Sequence, residues 1–137
     1  MQMKPVLTLE DAKKIAAAAE AEAVKNNWKV VISIVDDGGH LLWLQRLDGV
    51  APVSAYIAQA KAKTAALGKR ESKIYEDMIN NGRMSFISAP HIEGMLEGGV
   101  PIVVDGHVVG AVGVSGVKSA EDAQIAKAGI AALGLAA

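Results

Sequence analysis

The chain has 137 residues, no cysteine and a net charge of −1, with 51% hydrophobic and 4% aromatic residues. This length fits one domain covering residues 1–137, with a core of alanine, valine, isoleucine and leucine. The lack of cysteine excludes disulfides, thiolate catalysis and iron–sulfur clusters. The near-neutral charge argues against nucleic-acid or membrane-surface partners, and no apolar run reaches the roughly 18 residues of a membrane span. With no export signal at the start of the sequence, the cytoplasm is the expected location.

The first predicted element is a helix from Thr8 to about Lys25. The segment Thr8–Asp11 has the pattern of a capping box, in which a hydroxyl and a carboxylate bond the first N–H groups. Two strands are predicted next, Val30–Val35 and His40–Arg46. The short connection between them, which is rich in turn residues, makes the pair antiparallel.

A second helix is predicted from Val53 to about Leu67, with Gly68 as its C-terminal stop. Lys61 falls inside the apolar arc of this helix. A buried ammonium needs a partner, so Lys61 either meets an anionic ligand, snorkels to solvent, or forms an ion pair with Asp48 or Asp36.

Three further elements are predicted on the two sides of the stretch from Gly98 to Gly116, which is the most informative part of the chain. We expect a short polar helix over Glu71–Asn81, a brief edge strand over Met84–Ile87, and a last helix that starts near Ser119 and ends at Gly134. The order of elements predicts an α+β domain, in which helices pack on an antiparallel sheet of about five strands.

The stretch from Gly98 to Gly116 predicts a hairpin at the centre of that sheet. Its strands are Val100–Val104 and His107–Val114, and Asp105-Gly106 fits a type I′ turn. Glycines inside the second strand indicate a bulge or the close approach of another backbone or a ligand. The backbone N–H groups of Gly113–Gly116 are expected at a strand end, where they could hold an anionic group.

The remaining chemical signals are sparse. The three histidines, His40, His91 and His107, form no spaced pair, so we expect no dedicated metal site, although each could give one nitrogen to a haem iron. His91 follows Pro90 in a loop and is the most ligand-like of them. Ser115 lacks the second glycine of a nucleophile elbow, which argues against a serine hydrolase.

Several ordered segments together resemble a known family. The matching segments are Leu7–Ala12, Val35–Leu41, Arg46–Gly49, Lys61–Ala65, Gly98–Ile102 and Val109–Gly116. In this order they are similar to the small haem-binding domains of the HbpS and GlcG type, which also occur as the C-terminal domain of PduO-type proteins.

This resemblance implies a profilin-like sandwich with a five-stranded antiparallel sheet. It also implies a homo-oligomer, up to an octamer, and haem binding in some members, with links to haem breakdown, redox sensing or corrinoid pathways. Other members lie beside catabolic enzymes. One branch is associated with a histidine on the first helix, and here that helix has none.

The candidate site residues follow from this comparison. If haem is bound, His91 or His40 would replace the missing ligand, or a hydroxyl of Thr64 or Ser115 would serve. Lys61 and Arg46 would then meet the propionates, because both are cations.

Three functions remain open at this point. The first is a haem- or tetrapyrrole-binding oligomer. The second is a cofactor-independent enzyme acting on a small organic acid or an aromatic catabolite in a catabolic operon, with Lys61 as cation or general acid and Asp36, Asp48 or His91 as proton acceptor. The third is a structural or accessory subunit. Whether the chain is an enzyme is therefore left undecided by its sequence.

Overall fold

The computed structural model describes residues 1–134, so the last three residues of the predicted domain lie outside it. In chain order the elements are α1 (Leu9–Lys25), β1 (Val31–Asp36), β2 (Leu41–Arg46), α2 (Val53–Gly68), α3 (Ser72–Asn80), a 3₁₀ helix (Met84–Ser88), β3 (Gly99–Val104), β4 (His107–Ser115) and α4 (Ser119–Ala131). This confirms the predicted α+β class. Across residues 1–134, no helix combines the length and the apolar character that crossing a membrane requires.

The sheet has four strands in the order β2-β1-β4-β3, and every neighbouring pair is antiparallel. The expectation of about five strands is wrong, because the segment predicted as an edge strand forms the 3₁₀ helix instead. Its backbone is bonded locally, since the N–H of Phe86 donates to Arg83 and that of Ala89 donates to Phe86. The Phe86 ring packs on Tyr75 at 5.2 Å between centroids, which keeps the segment against α3.

The central hairpin agrees with its prediction. Both strands lie within one residue of the expected bounds. Asp105 and Gly106 have φ angles of 51° and 76°, and positive values at both positions are what a type I′ turn requires.

Two helices pack on one face of the sheet, and α2 packs on the other. On one face α1 and α4 pack against the isoleucines and valines of the central strands, and these residues form the main apolar core. On the other face α2 lies across β1, β3 and β4. A side chain at Gly113 would overlap the carbonyl of Ala58 and the backbone of Ala62. The glycine predicted to admit a close approach therefore admits α2.

The helix ends show how local sequence sets the boundaries. The Asp11 N–H donates to Thr8 Oγ1 at 3.2 Å and the Thr8 N–H donates to Asp11 Oδ2 at 2.9 Å, which confirms the capping box. In α2, by contrast, Gly68 remains helical and Lys69 takes the left-handed cap at φ 56°, so the predicted stop is one residue early. The last helix ends at Ala131 rather than at Gly134.

Candidate functional site

Lys61 is the most deeply buried of the charged residues that the sequence proposed for the site. Its side chain is 3% exposed, and its ammonium donates to the Val114 carbonyl and to Asp122 Oδ2, each at 3.0 Å. These bonds join α2, the end of β4 and α4. The structure therefore pairs Lys61 with Asp122, and the ion pair considered with Asp48 or Asp36 is not formed.

The partner carboxylate is buried as well. Asp122 Oδ1 accepts the Val117 N–H at 3.2 Å, which fixes the turn between β4 and α4. Burial raises the pKa of the Asp122 carboxyl above its ordinary value, and the charge of Lys61 and the Val117 N–H oppose that rise only in part. Lys61 and Asp122 thus form an interior structural pair.

Thr64 is also inside the protein, one turn further along α2. Its Oγ1 accepts the N–H of Gly94 at 3.1 Å. A side chain at Gly94 would overlap the backbone of Ala60 and Lys61, so the chain crosses α2 there in direct backbone contact. Thr64 and Gly94 together anchor the loop that carries His91 against α2.

The end of β4 is packed rather than open. Ser115 is 5% exposed. The N–H of Val114, which the sequence predicts to be free, donates to the Gly98 carbonyl at 3.0 Å. A side chain at Gly116 would overlap the backbone of Lys29, so this glycine too is enclosed by protein.

His40 lies at the surface, where Asp36 holds its imidazole. Nδ1 is 3.1 Å from Asp36 Oδ1, and that oxygen also accepts the N–H groups of Gly38 and His40 at 2.9 Å each. Burial of the Asp36 carboxyl works to raise its pKa, but these hydrogen bonds outweigh it and the net pKa is lowered. The carboxylate is therefore ionised at neutral pH, and Nε2 is the His40 nitrogen that a ligand can use.

His91 occupies a second surface position on the outer side of α2. It lines a depression of about 300 Å³ together with Ala60, Lys63 and Glu93. Its backbone has φ 66°, a left-handed conformation that is unfavourable for a residue with a β-carbon. His91 therefore lies, with this unfavourable backbone, in the loop that Thr64 anchors through Gly94.

Lys63 connects these two surface positions, and the sequence did not single it out. A side chain at Gly39, in the turn that leads to His40, would come within 2.8 Å of Lys63 Cγ, and Lys63 also lines the depression of His91. In the sequence Lys63 belongs to the polar side of α2. Its importance depends on two loops that approach α2 from distant parts of the chain.

Arg46 and Asp48 lie at the opposite end of β2 from His40, and both are exposed. At roughly 3.3 Å per residue, the six positions from His40 to Arg46 correspond to about 20 Å. Within the described residues of one chain, the acid–base candidates therefore do not line a single cavity. These candidates are Lys61, Asp36, Asp48 and His91. Among residues 1–134, no group of three or more histidine, aspartate or glutamate side chains could hold a metal ion.

Comparison with known proteins identifies the family of this chain. The family described as "Haem degrading protein HbpS-like" matches residues 7–131. Protein GlcG of Escherichia coli K12 is 58% identical over 115 residues, which cover 84% of this chain and 85% of GlcG. The chain belongs to the HbpS-like family.

Solved structures of HbpS-like proteins share the fold. A double mutant of HbpS from Streptomyces reticuli superposes with a TM-score of 0.88 at 32% identity, covering 97% of this chain and 90% of that one. PduOC, solved as a complex with haem, superposes with a TM-score of 0.84 at 28% identity, covering 96% and 98%.

Proposed function

We propose that this protein is a haem- or tetrapyrrole-binding homo-oligomer that serves haem breakdown or redox sensing. The observation that carries the proposal is the position of Lys63 between the loop of His40 and the loop of His91 on the outer side of α2. The turn that precedes His40 approaches Lys63, and His91 lines a depression together with Lys63, which supports a site on the outer side of α2. A family relative solved with haem supports the choice of ligand.

The donor chemistry of these residues fits an iron porphyrin. A histidine nitrogen is a common axial ligand of haem iron, which supplies the redox or oxygen chemistry when the group is bound. Metal-ligating histidines usually donate their second ring N–H to a carboxylate, as His40 does to Asp36. His91 offers the alternative ligand, and its left-handed backbone is the kind of strain that is found at ligand sites.

The charges around the site suggest how the ligand is oriented. Lys63 is half-buried and lies beside both loops, so its ammonium can pair with a propionate. Glu93 would repel a propionate from the other rim of the depression. In this proposal Lys63 takes the role that the sequence gave to Lys61, whose ammonium is already bonded to Asp122 and Val114.

Self-association is the second part of the proposal. Apolar side chains are exposed on α3 and along the segment that follows it, namely Ile74 (43%), Met84 (60%), Ile87 (57%) and Leu96 (47%). Burying such side chains between subunits would be favourable by roughly 25 cal/mol per Å² of apolar area. Multi-angle light scattering should therefore give a mass well above that of one chain, and a monomer at micromolar concentration would contradict this part.

Hemin titration tests the site. We expect a saturable shift of the Soret band with the wild-type protein and its loss in either His40→Ala or His91→Ala, which identifies the iron ligand. Lys63→Met should weaken binding by about tenfold, because one charge-assisted contact to a propionate is lost.

Two variants serve as controls for the titration. His107→Ala removes the third histidine, and Lys14→Met removes an exposed lysine of α1; both should bind hemin as the wild type does. Circular dichroism should show the same secondary-structure content in these two controls and in the variants of His40, His91 and Lys63. The proposal fails if wild-type protein gives no saturable Soret shift, or if the His40 and His91 variants both retain wild-type affinity.

A further inference from the structure

A second cavity lies beyond the C-terminal end of α2, away from His91. Its volume is about 380 Å³, within the usual range for small-molecule sites. Four separate parts of the chain border it: the N-terminal segment at Lys4, the β1–β2 turn at Asp37, the end of α2 at Lys69, and the β3–β4 hairpin at His107.

The polar wall of this cavity is mainly cationic. Lys4 and Lys69 carry positive charges, whereas the one carboxylate in the lining, that of Asp37, is already paired with Lys4. An ammonium has three N–H donors, so the bond to Asp37 leaves Lys4 able to donate to a ligand as well. His107 adds a ring nitrogen that can donate to an anion. The lining therefore favours an anion.

Lys69 has an unusual backbone for its residue type. It caps α2 in the left-handed conformation with φ 56°, a position that helices most often give to glycine. Lysine is unfavourable there because its β-carbon crowds the carbonyl oxygen.

The apolar part of the lining limits the kind of anion. Val103 and Val108 contribute hydrocarbon surface, and Ala66, which is 2% exposed, leaves space where α2 meets the cavity. An inorganic ion would leave that surface in contact with water, whereas a short carbon skeleton would cover it. From these contacts we infer that the cavity binds a short organic dicarboxylate, with one carboxylate at Lys69 and His107 and the other at Lys4.

The lining of this cavity shares no residue with the depression of His91, although the β1–β2 turn that borders it at Asp37 leads to His40. Lys69 lies six residues after Lys63 on α2, which corresponds to about 9 Å along the helix axis. Hemin binding by a Lys69 variant should therefore be unchanged, and failure of one proposal leaves the other standing.

Isothermal titration with malonate tests the inference in the full-length protein at constant ionic strength. We expect saturable binding by the wild type and a loss of about tenfold in affinity in Lys69→Gly. Glycine relieves the left-handed strain, so this variant should unfold at the same or a higher urea concentration than the wild type. A loss of binding with no loss of stability separates a ligand role from a structural one.

The control variant is Lys14→Gln, which removes one exposed positive charge on α1. The control ligands are propionate and inorganic phosphate. Lys14→Gln should bind malonate as the wild type does. Propionate should bind more weakly because it has one carboxylate, and inorganic phosphate because it lacks a carbon skeleton. The inference is overturned if malonate shows no saturable binding, if Lys69→Gly binds it normally, or if propionate or phosphate binds as tightly.

Discussion

The ammonium of Lys61 and the carboxylate of Asp122 lie 3.0 Å apart, and both side chains are only 3% exposed. They are 61 residues apart in the sequence and belong to helices on opposite faces of the sheet. Lys61 reaches past the end of β4, where it also bonds the Val114 carbonyl. The pair therefore connects the two helical layers across the end of the central strand β4.

Removing one member of this pair should be strongly destabilising. Lys61→Met leaves the Asp122 carboxylate buried without its counter-ion, and such changes cost about 3–5 kcal/mol. Urea unfolding followed by circular dichroism measures the loss. The double variant Lys61→Met/Asp122→Leu should lose less than Lys61→Met alone, because no uncompensated charge remains in the interior.

Lys14→Met is the matched control for this comparison, since it makes the same substitution at an exposed position of α1. Its free energy of unfolding should stay within about 0.5 kcal/mol of the wild type. Equal effects at positions 14 and 61 would show that the interior pair contributes no stability.

The pH dependence of stability should reveal the raised pKa of Asp122. A carboxyl whose pKa is higher in the folded state binds its proton more tightly there. Its contribution to stability is full below the unfolded pKa, near 3.8, and is lost as the pH rises through the folded value. The wild type should therefore become less stable relative to Asp122→Asn as the pH rises through this window.

Parallel urea titrations of these two proteins at several pH values measure that difference. Asp11 and Asp36, whose pKa values are lowered, have the opposite effect, but they are present in both proteins and cancel. A wild type that gains stability relative to Asp122→Asn as the pH rises would contradict a raised pKa for Asp122.

Two buried hydroxyls should respond in opposite ways to removal. Thr64→Val leaves the Gly94 N–H without its acceptor, and an unsatisfied buried donor costs about 1–3 kcal/mol. Ser33 Oγ, by contrast, is buried and has no hydrogen-bond partner among the described residues. Ser33→Ala should therefore leave stability unchanged or raise it slightly. Thermal unfolding of the two variants provides the comparison, and an equal loss in both would refute it.

Thr64→Val should also affect the loop that carries His91. Hydrogen exchange at residues 91–95 should become faster, because the loop loses its bond to α2. The Ser33→Ala variant gives the baseline for this measurement, since Ser33 lies in the central strand β1. Unchanged exchange in Thr64→Val would mean that backbone packing at Gly94 is enough to hold the loop.

The N-terminal cap gives a local prediction. Thr8→Ala removes the acceptor for the Asp11 N–H and should cost about 1 kcal/mol of stability. Thr8→Ser keeps the hydroxyl and should restore most of that loss. Chemical denaturation measures both, and equal stability of the alanine and serine variants would show that the capping hydroxyl is unimportant.

Most of the secondary structure could be predicted because its signals are local. The capping pattern at Thr8 and the alternation of apolar residues depend on neighbours a few positions away, as does the Asp105-Gly106 turn. The segment from Met84 was predicted as a strand and is a 3₁₀ helix. Whether a short apolar segment pairs with a sheet depends on a free neighbouring edge, and here Phe86 packs on Tyr75 instead.

The candidate site was less predictable than the fold. The position of Lys61 in an apolar arc left open an anionic ligand, a snorkelling ammonium or an ion pair with Asp48 or Asp36, and the structure gives an ion pair with Asp122 instead. The sequence also favoured His91 as a ligand while placing Lys63 on an unremarkable polar face. No local pattern shows that the turn before His40 and the loop of His91 both approach that lysine.

The sequence by itself determined the α+β class, the central hairpin and the position of Lys61 in the apolar arc of α2, because periodicity and turn chemistry act over short distances. The tertiary structure decided that Asp122 is the partner of Lys61, that Gly113 admits α2, and that Lys63 joins the two histidine loops. Each of these depends on contacts between residues far apart in the chain. Such contacts are selected by the packing of whole elements against the sheet, which no single segment specifies.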